Sequence, residues 1–323
     1  TAAYENSGLL DQYRALLRAA DEDVAQAVSA TLPVISWSAN ATSTSPRASG
    51  ADLIAATARI SADLSLYDGG ANDLAIEAQK ELVLGTREAL RRIEQTVLLD
   101  AVTAYMQVRS DTEFVALRQS NVRVLTQEFR AAQDRFDVGE VTRTDVALAE
   151  ARLAAARSLL ASAQGSLARS AEAYVTAVGR KPDALSPAKA APVSQTLADA
   201  KAFAVRNHPD ILQAQHAVSA AELNIKRGEA AMKPSVSLGA QIGFDQDFNV
   251  GRSIGVTASG PIYAGGRLSS QVRQFMSRRD AERAALLVTS MGIEQQVANA
   301  YSFLEVARAS ARSEERRVGK ECR

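Results

Sequence analysis

From about Ala71 to Phe136 the chain carries no proline, and only Gly85 interrupts its helical pattern. That stretch is about 66 residues, or about 100 Å of α-helix at about 1.5 Å rise per residue. A chain of 323 residues cannot enclose such a rod in a compact domain, so compact folds are excluded at the outset. Ala101, Val108, Val115, Val122, Phe129 and Phe136 recur every seven residues, and after a break Val146, Leu153, Leu160, Leu167 and Tyr174 do the same. Sevenfold apolar spacing is the seam of a coiled coil, because it keeps one stripe facing a partner helix. The break, Phe136 to Asp145, holds Gly139, which ends a helix, and Thr142 with Asp145 three residues on, which caps the next. The spacing therefore predicts an antiparallel helical hairpin over 71–179. Its return helix is lined by Ala149, Ala156, Ala163, Ser170 and Ala177, small enough for neighbouring helices to approach closely. It stops at Gly179, before a proline-bearing connector from Lys181-Pro182 to Pro192.

The chain is also duplicated. Asn6 and Pro33 bracket one helical stretch, and Asn207 and Pro234 bracket another 201 residues later (207 − 6 and 234 − 33). In that register Ala19-Ala20-Asp21 matches Ala220-Ala221-Glu222, and Val24 matches Ile225. Tyr67-Asp68-Gly69-Gly70 matches Tyr263-Ala264-Gly265-Gly266, and Ala104-Tyr105 matches Ala300-Tyr301, at an offset of 196 (263 − 67 and 300 − 104). The change of register lies between Pro33 and Tyr67, where a surface loop tolerates an insertion. The expected organisation is a first repeat, 1–182, with a helix, a β-hairpin at about 33–67 and the helical hairpin. A connector with a short helix, 183–206, leads to an incomplete second repeat, 207–311, with a helix, a β-hairpin at about 234–263 and one long helix.

Where the register changes, the period falls to two. Ile35, Trp37, Ala39 and Ala41 alternate with polar residues, as do Ala58, Ile60, Ala62, Leu64 and Leu66. In the second copy Val236, Leu238, Ala240, Ile242 and Phe244 alternate with Ser235, Ser237, Gly239, Gln241 and Gly243, followed by Ile254, Val256, Ala258 and Ile262. Each repeat thus carries two strands with one apolar and one polar face. The strands run to roughly ten residues, the length that crosses a bilayer when tilted. Four strands cannot close a barrel, and an open edge in lipid leaves unpaired backbone groups, so closure demands oligomerisation. In a membrane the polar faces would line a water-filled lumen, with Arg59, Asp63 and Asp245 on them as charges that tune passage or as plain solvated charges, and Trp37 would be an interfacial aromatic or a packing residue; the edge of a soluble sandwich with a solvated polar face is the alternative for the hairpins.

Thirty-seven basic residues balance 37 acidic ones, which argues against a nucleic-acid partner, since that would need a basic excess. No stretch approaches the roughly 18 consecutive apolar residues of a spanning helix, which leaves barrel insertion open. The start at Thr1 reads as lacking a signal peptide and the first mature helix. Cys322 is the only cysteine, so no internal disulfide or cysteine zinc site is expected. The last twelve residues, Arg312 to Arg323, resemble the translation of a sequencing-library adapter, and the segment 312–323 is expected to be a scar that ends the helical pattern near Ala311. His208 and His216 lie on a predicted helix, about 12 Å apart along its axis, too far to share a metal. Gly69-Gly70 and Gly265-Gly266 precede helices without a Gly-Lys-Ser/Thr motif, and read as strand-to-helix corners rather than phosphate loops. No catalytic residue, metal site or cofactor is expected.

Residues 135 to 157, ArgPheAspValGlyGluValThrArgThrAspValAlaLeuAlaGluAlaArgLeuAlaAlaAlaArg, resemble the helical-hairpin signature of the TolC-like outer membrane channel proteins of Gram-negative bacteria. The TyrXaaGlyGly turns and ValGlyArgLysPro at 178–182 resemble that family too, and the opening AlaLeuLeuArgAlaAlaAspGluAspValAlaGlnAla is similar to its type I secretion branch. The resemblance implies a mainly α protomer with a small β part. Three protomers would form a 12-stranded outer membrane β-barrel, each giving four strands, continuing into a periplasmic α-helical tunnel. It implies an outer membrane exit duct, with a periplasmic adaptor (membrane fusion) protein, an inner-membrane pump or ABC transporter and outer membrane lipid as partners. Val138, Gly139, Glu140, Val141 and Thr142 would form the adaptor-binding tip, with Glu140 standing where many members carry an apolar residue. The alternative is a periplasmic coiled-coil adaptor or scaffold without a pore; one helical hairpin per chain is usual there, so the duplicated unit favours the channel. The second copy lacks a tip and return helix, so the chain as written is not expected to assemble a competent channel.

Overall fold

The computed structural model describes residues 2–44, 53–183, 185–188, 192–193 and 196–321. In order they form α1 (Ala2–Glu5), α2 (Gly8–Ser29), β1 (Val34–Thr44), β2 (Leu53–Tyr67), α3 (Ala71–Asp137), α4 (Arg143–Val178), α5 (Leu197–Asn207), α6 (Pro209–Ala230), β3 (Ser235–Asp245), β4 (Val250–Ser259) and α7 (Arg267–Glu321). Chain contacts divide them into one unit of residues up to Tyr13 with Arg91–Pro192, and a second of Arg14–Leu90 with Val193 onward. No described helix is long and apolar enough to cross a membrane.

In the first unit α4 runs back along the distal part of α3. The rings of Tyr105 and Tyr174 lie 6.5 Å apart, and the two residues are equally distant in sequence from the Gly139–Glu140 bond. The pair therefore returns without a register slip. Val108, Asp111 and Val115 on α3, and Leu153, Ala156, Ser170 and Tyr174 on α4, are buried along this seam. The small residues of α4 share that face, where only small side chains let two backbones approach. Toward the tip the seam opens, and Phe136 is 37% exposed. α4 ends at Gly179, at φ 82°; a Cβ there would stand 2.8 Å from Asn6, whose Nδ2 donates to the carbonyls of Ala2 and Val178.

In the second unit α6 packs on α7, where Gly228 leaves room for Phe275; a Cβ would meet that ring at 2.8 Å. Arg283 on α7 pairs with Glu222 on α6 at 2.6 Å. α6 also meets the proximal part of α3, where His216 Nδ1 lies 2.8 Å from Glu81 Oε2 beside Gly85. The four strands form one antiparallel sheet in the order β1-β2-β3-β4. Sequence neighbours pair within each hairpin, and the long-range β2–β3 pairing joins the two copies.

The duplication reappears in these elements. α2 and α6 are both 22 residues long and start 201 apart (209 − 8). β1 and β3 are both 11 residues and keep that offset (235 − 34), while α3 and α7 start 196 apart (267 − 71). The register change therefore falls between the two strands of a hairpin. Asn6 Nδ2 donates to Ala2 O and Asn207 Nδ2 to Phe203 O, both at 2.9 Å, so the likeness reaches back into α5.

Three details depart from the sequence reading. β4 runs from Val250 to Ser259, so Ile262 lies outside it, beyond Gly260-Pro261, because proline cannot donate to the ladder. His208 is not on a helix but caps α6 ahead of Pro209, in extended backbone. α7 continues past Ala311 to Glu321; the Glu and Arg residues of that segment are good helix formers. Cys322 lies outside the described residues.

Candidate functional site

The strand register sorts the sheet into two chemically different faces. Ile35 pairs with Ala62, Ala62 with Ala240 and Ala240 with Ile254; Ala39, Ala58, Phe244 and Val250 form a second apolar row. Between them runs Trp37–Ile60–Ile242–Arg252. This face is uncovered: Trp37 is 81% and Ile254 77% exposed. Arg252 on it escaped the sequence reading, because the alternation was followed back only to Ile254. Its even-numbered position was the signal, shared with Ile254, Val256 and Ala258.

Ser36, Ser61, Gln241 and Ser253 make one row of the opposite face, and Ser36 and Ser61 hydroxyls lie 2.8 Å apart. Arg59, Asp63 and Asp245 all fall on this face. Arg59 pairs with Gly243, itself opposite Gly251, and Asp63 pairs with Gly239, itself opposite Gly255. A Cβ on Gly239 would stand 3.4 Å from Asp63 Oδ1. The second hairpin is thus stripped of side chains where the first presents charges, and the two charged groups lie over a glycine floor. Asp245 behaves differently. Its carboxylate accepts from the N–H groups of Asp247 and Asn249 and from Asn249 Nδ2, at 2.8–2.9 Å, and so holds the β3–β4 turn, in which Phe248 adopts φ 58°.

At the corners, Gly69 and Gly70 adopt φ 71° and 88°, and Gly265 and Gly266 φ 59° and 80°, conformations that favour glycine. The Asp68 carboxylate accepts from the N–H groups of Gly70 and Asn72, so the start of α3 is capped by its own chain. Lys233 Nζ donates to Gly69 O, and Asn72 Nδ2 to Ala30 O.

The hairpin tip is closed by two motifs in series. Gly139 N–H donates to Phe136 O and Glu140 N–H to Arg135 O, both at 2.9 Å, with Gly139 at φ 83°; this is a Schellman ending. Thr142 then forms a capping box with Asp145, whose Oδ2 accepts from Thr142 Oγ1 at 2.7 Å and Thr142 N at 2.9 Å. Val138 lies inside the first of these motifs and is 72% exposed. The hydrogen bonds from the Thr142 hydroxyl and then its backbone N–H hold the Asp145 carboxyl below the ordinary carboxylate range. A depressed folded pKa stabilises above the unfolded value, near 4 for Asp, and that contribution is lost as pH falls through the folded one. Wild-type protein is therefore expected to lose hydrogen-exchange protection at the start of α4 in strong acid, relative to Asp145→Ala measured at the same pH. The variant should already be unprotected at neutral pH. An unchanging gap between the two down to pH 2 would contradict this role.

The two histidines have structural partners: His208 Nδ1 accepts from Asp210 N–H, and His216 faces Glu81. Among the described residues no His, Cys, Asp and Glu group is arranged to hold a metal ion.

A family model described as outer membrane efflux protein matches residues 1–180 and 203–319. Outer membrane efflux protein BepC of Brucella suis biovar 1 (strain 1330) is 38% identical over 321 residues, spanning 95% of this chain and 69% of BepC. A solved membrane protein from Pseudomonas aeruginosa aligns with a TM-score of 0.83 at 19% identity, over 97% of this chain and 76% of that one. The outer-membrane channel OprN aligns with a TM-score of 0.79 at 20% identity, over 97% and 74%. The structural likenesses show a shared fold of long helices and a small sheet, and the sequence matches extend it to descent: the chain belongs to the outer membrane efflux protein family.

Proposed function

We propose that this outer membrane protein is one protomer of a passive exit duct. Three copies close a 12-stranded barrel that continues into a periplasmic helical tunnel, through which small molecules or polypeptides leave the cell. The observation that carries the reading is the four-stranded sheet with one apolar and one polar face and two edges, β1 and β4, unpaired among the described residues. In lipid each unpaired backbone group costs on the order of several kcal/mol, and only a closed barrel removes the edges. The apolar rows then meet lipid, Trp37 and Arg252 mark the membrane interface, and Arg59 and Asp63 tune passage through the lumen. The tip, Val138 to Thr142, meets a periplasmic adaptor of an inner-membrane pump or ABC transporter in an efflux or type I secretion system; Val138 offers it an apolar contact held in place by the Schellman ending of α3. The repeats 1–182 and 207–311 are two copies of one unit in sequence, linked by 183–206.

The test is to express the complete gene, fractionate the envelope and record the purified protein in a planar bilayer. A detergent-dependent outer membrane trimer with stepwise conductance is expected. A water-soluble monomer without conductance would return the chain to the class of coiled-coil scaffolds.

A further inference from the structure

Glycine in a strand interior weakens the strand, and it marks a bulge, a bend or a place where a ligand or another backbone comes close. β3 and β4 carry such glycines in two directly opposed pairs, Gly239 with Gly255 and Gly243 with Gly251. Backbone geometry does not call for them. None adopts a positive φ, and the ladder pairs every residue from Ser235–Ser259 to Phe244–Val250 without a break, so no bulge or corner accounts for them. What the glycines leave is room on the polar face, and the two pairs use it differently. At the first pair the Asp63 side chain leans in, since a Cβ on Gly239 would meet its Oδ1 at 3.4 Å. At the second, Arg59 stands opposite Gly243, yet of its side chain only Cβ, at 3.9 Å, would lie near a Cβ built on that glycine, and one built on Gly251 would meet nothing closer than 4.0 Å. The guanidinium therefore leaves this second notch open.

The result is a depression of about 460 Å³, within the size range of small-molecule sites. Gly243 and Gly251 form its floor, and Arg59, Gln241, Asn249 and Ser253 stand around it. The cross-strand neighbours of Arg59 are Ser38 and Gly243, so no carboxylate faces it directly. Asp245 pairs with Thr57 and is diagonal to Arg59; it borders the depression, but three donors of the β3–β4 turn hold its carboxylate. Among the described residues Arg59 has no ion pair. It brings a planar fork of donors with a full positive charge, and no side chain covers the floor beside it. We propose that this depression is an anion subsite of the lumen, where Arg59 holds a carboxylate or phosphate group of a passing solute through bidentate, charge-assisted hydrogen bonds. The Gln241 amide and the Ser253 hydroxyl add donors at its edge. The subsite rests on the exit-duct reading and deepens it, naming anionic solutes as the class that the lumen retains.

The complete-gene protein in planar bilayers tests it, with inorganic pyrophosphate as the probe. The potassium chloride current through wild type is expected to fall as pyrophosphate is added. Arg59→Gln should raise the half-blocking concentration at least about tenfold. Gly251→Val should do the same while keeping every charge, because it fills the floor at a position with room for a side chain, and valine suits a strand. Either substitution decides alone, so a variant that fails to assemble does not close the test. Asp63 lies about 13 Å from Arg59 along β2, beyond the Debye length of about 10 Å at about 0.1 M salt, and Asp63→Asn should leave the block within about twofold of wild type. A wild-type current that pyrophosphate does not reduce overturns the subsite. So does an Arg59→Gln or Gly251→Val pore blocked like wild type, or a change for Asp63→Asn as large as that for Arg59→Gln. A protein that forms no pore overturns the exit-duct reading itself, and the subsite with it.

Discussion

Alanine at Leu10 or Ile211 is expected to cost about 2–5 kcal/mol each, the range for deleting a fully buried large aliphatic side chain. The two are the repeat's own counterparts (211 − 10 is again 201), each the third residue of a 22-residue helix. They are 0% and 1% exposed, the largest fully buried side chains together with Pro209. In a chain whose helices leave many large apolar residues in contact with water, few positions carry a full transfer term plus a cavity term. Thermal melts of the purified variants should fall well below wild type, whereas Leu16→Ala, at a half-exposed position of α2, should change little. A melt for Leu10→Ala indistinguishable from that of Leu16→Ala would refute this assignment of the core.

The second large effect is expected at Gly69. Alanine there meets two obstacles: a left-handed φ, costing about 1–2 kcal/mol for an L side chain, and a Cβ 3.0 Å from the Ala230 carbonyl and 2.9 Å from Lys233 Cβ. Overpacking against backbone adds about 1–3 kcal/mol, because a carbonyl held by a helix end cannot rotate away. Gly265→Ala carries only the backbone strain within its own chain, since nothing lies within 4 Å of it. The melting temperature should therefore drop further for Gly69→Ala in dissociated protomers. Equal losses in dissociated protomers would show that backbone strain alone governs both corners.

Much of this architecture is legible in the residues. The absence of proline over α3, the sevenfold seam and the Gly139 and Thr142–Asp145 pair locate a helical hairpin because helix continuation and capping are decided by neighbours in sequence. The alternation in each strand shows which residues share a face, since the side-chain period of a strand is two. Local pattern was silent elsewhere. It gave no sign that Asp245 would turn its carboxylate into its own turn, or that His208 would cap a helix, because both depend on backbone geometry at an element end. Leu10 and Ile211 look like any other apolar helix residues until packing distinguishes them.

The elements, their two-faced character and their duplication are legible in the residues alone, because all three depend on interactions within a few residues or on the repetition of the chain. Long-range pairing was needed to show that β2 joins β3 across the two copies, that the glycines of the second hairpin lie against Arg59 and Asp63, and that Arg252 shares a row with Trp37. A strand's pattern specifies its faces but not its partner or register; these are fixed by long-range backbone pairing, whose closure no local preference encodes.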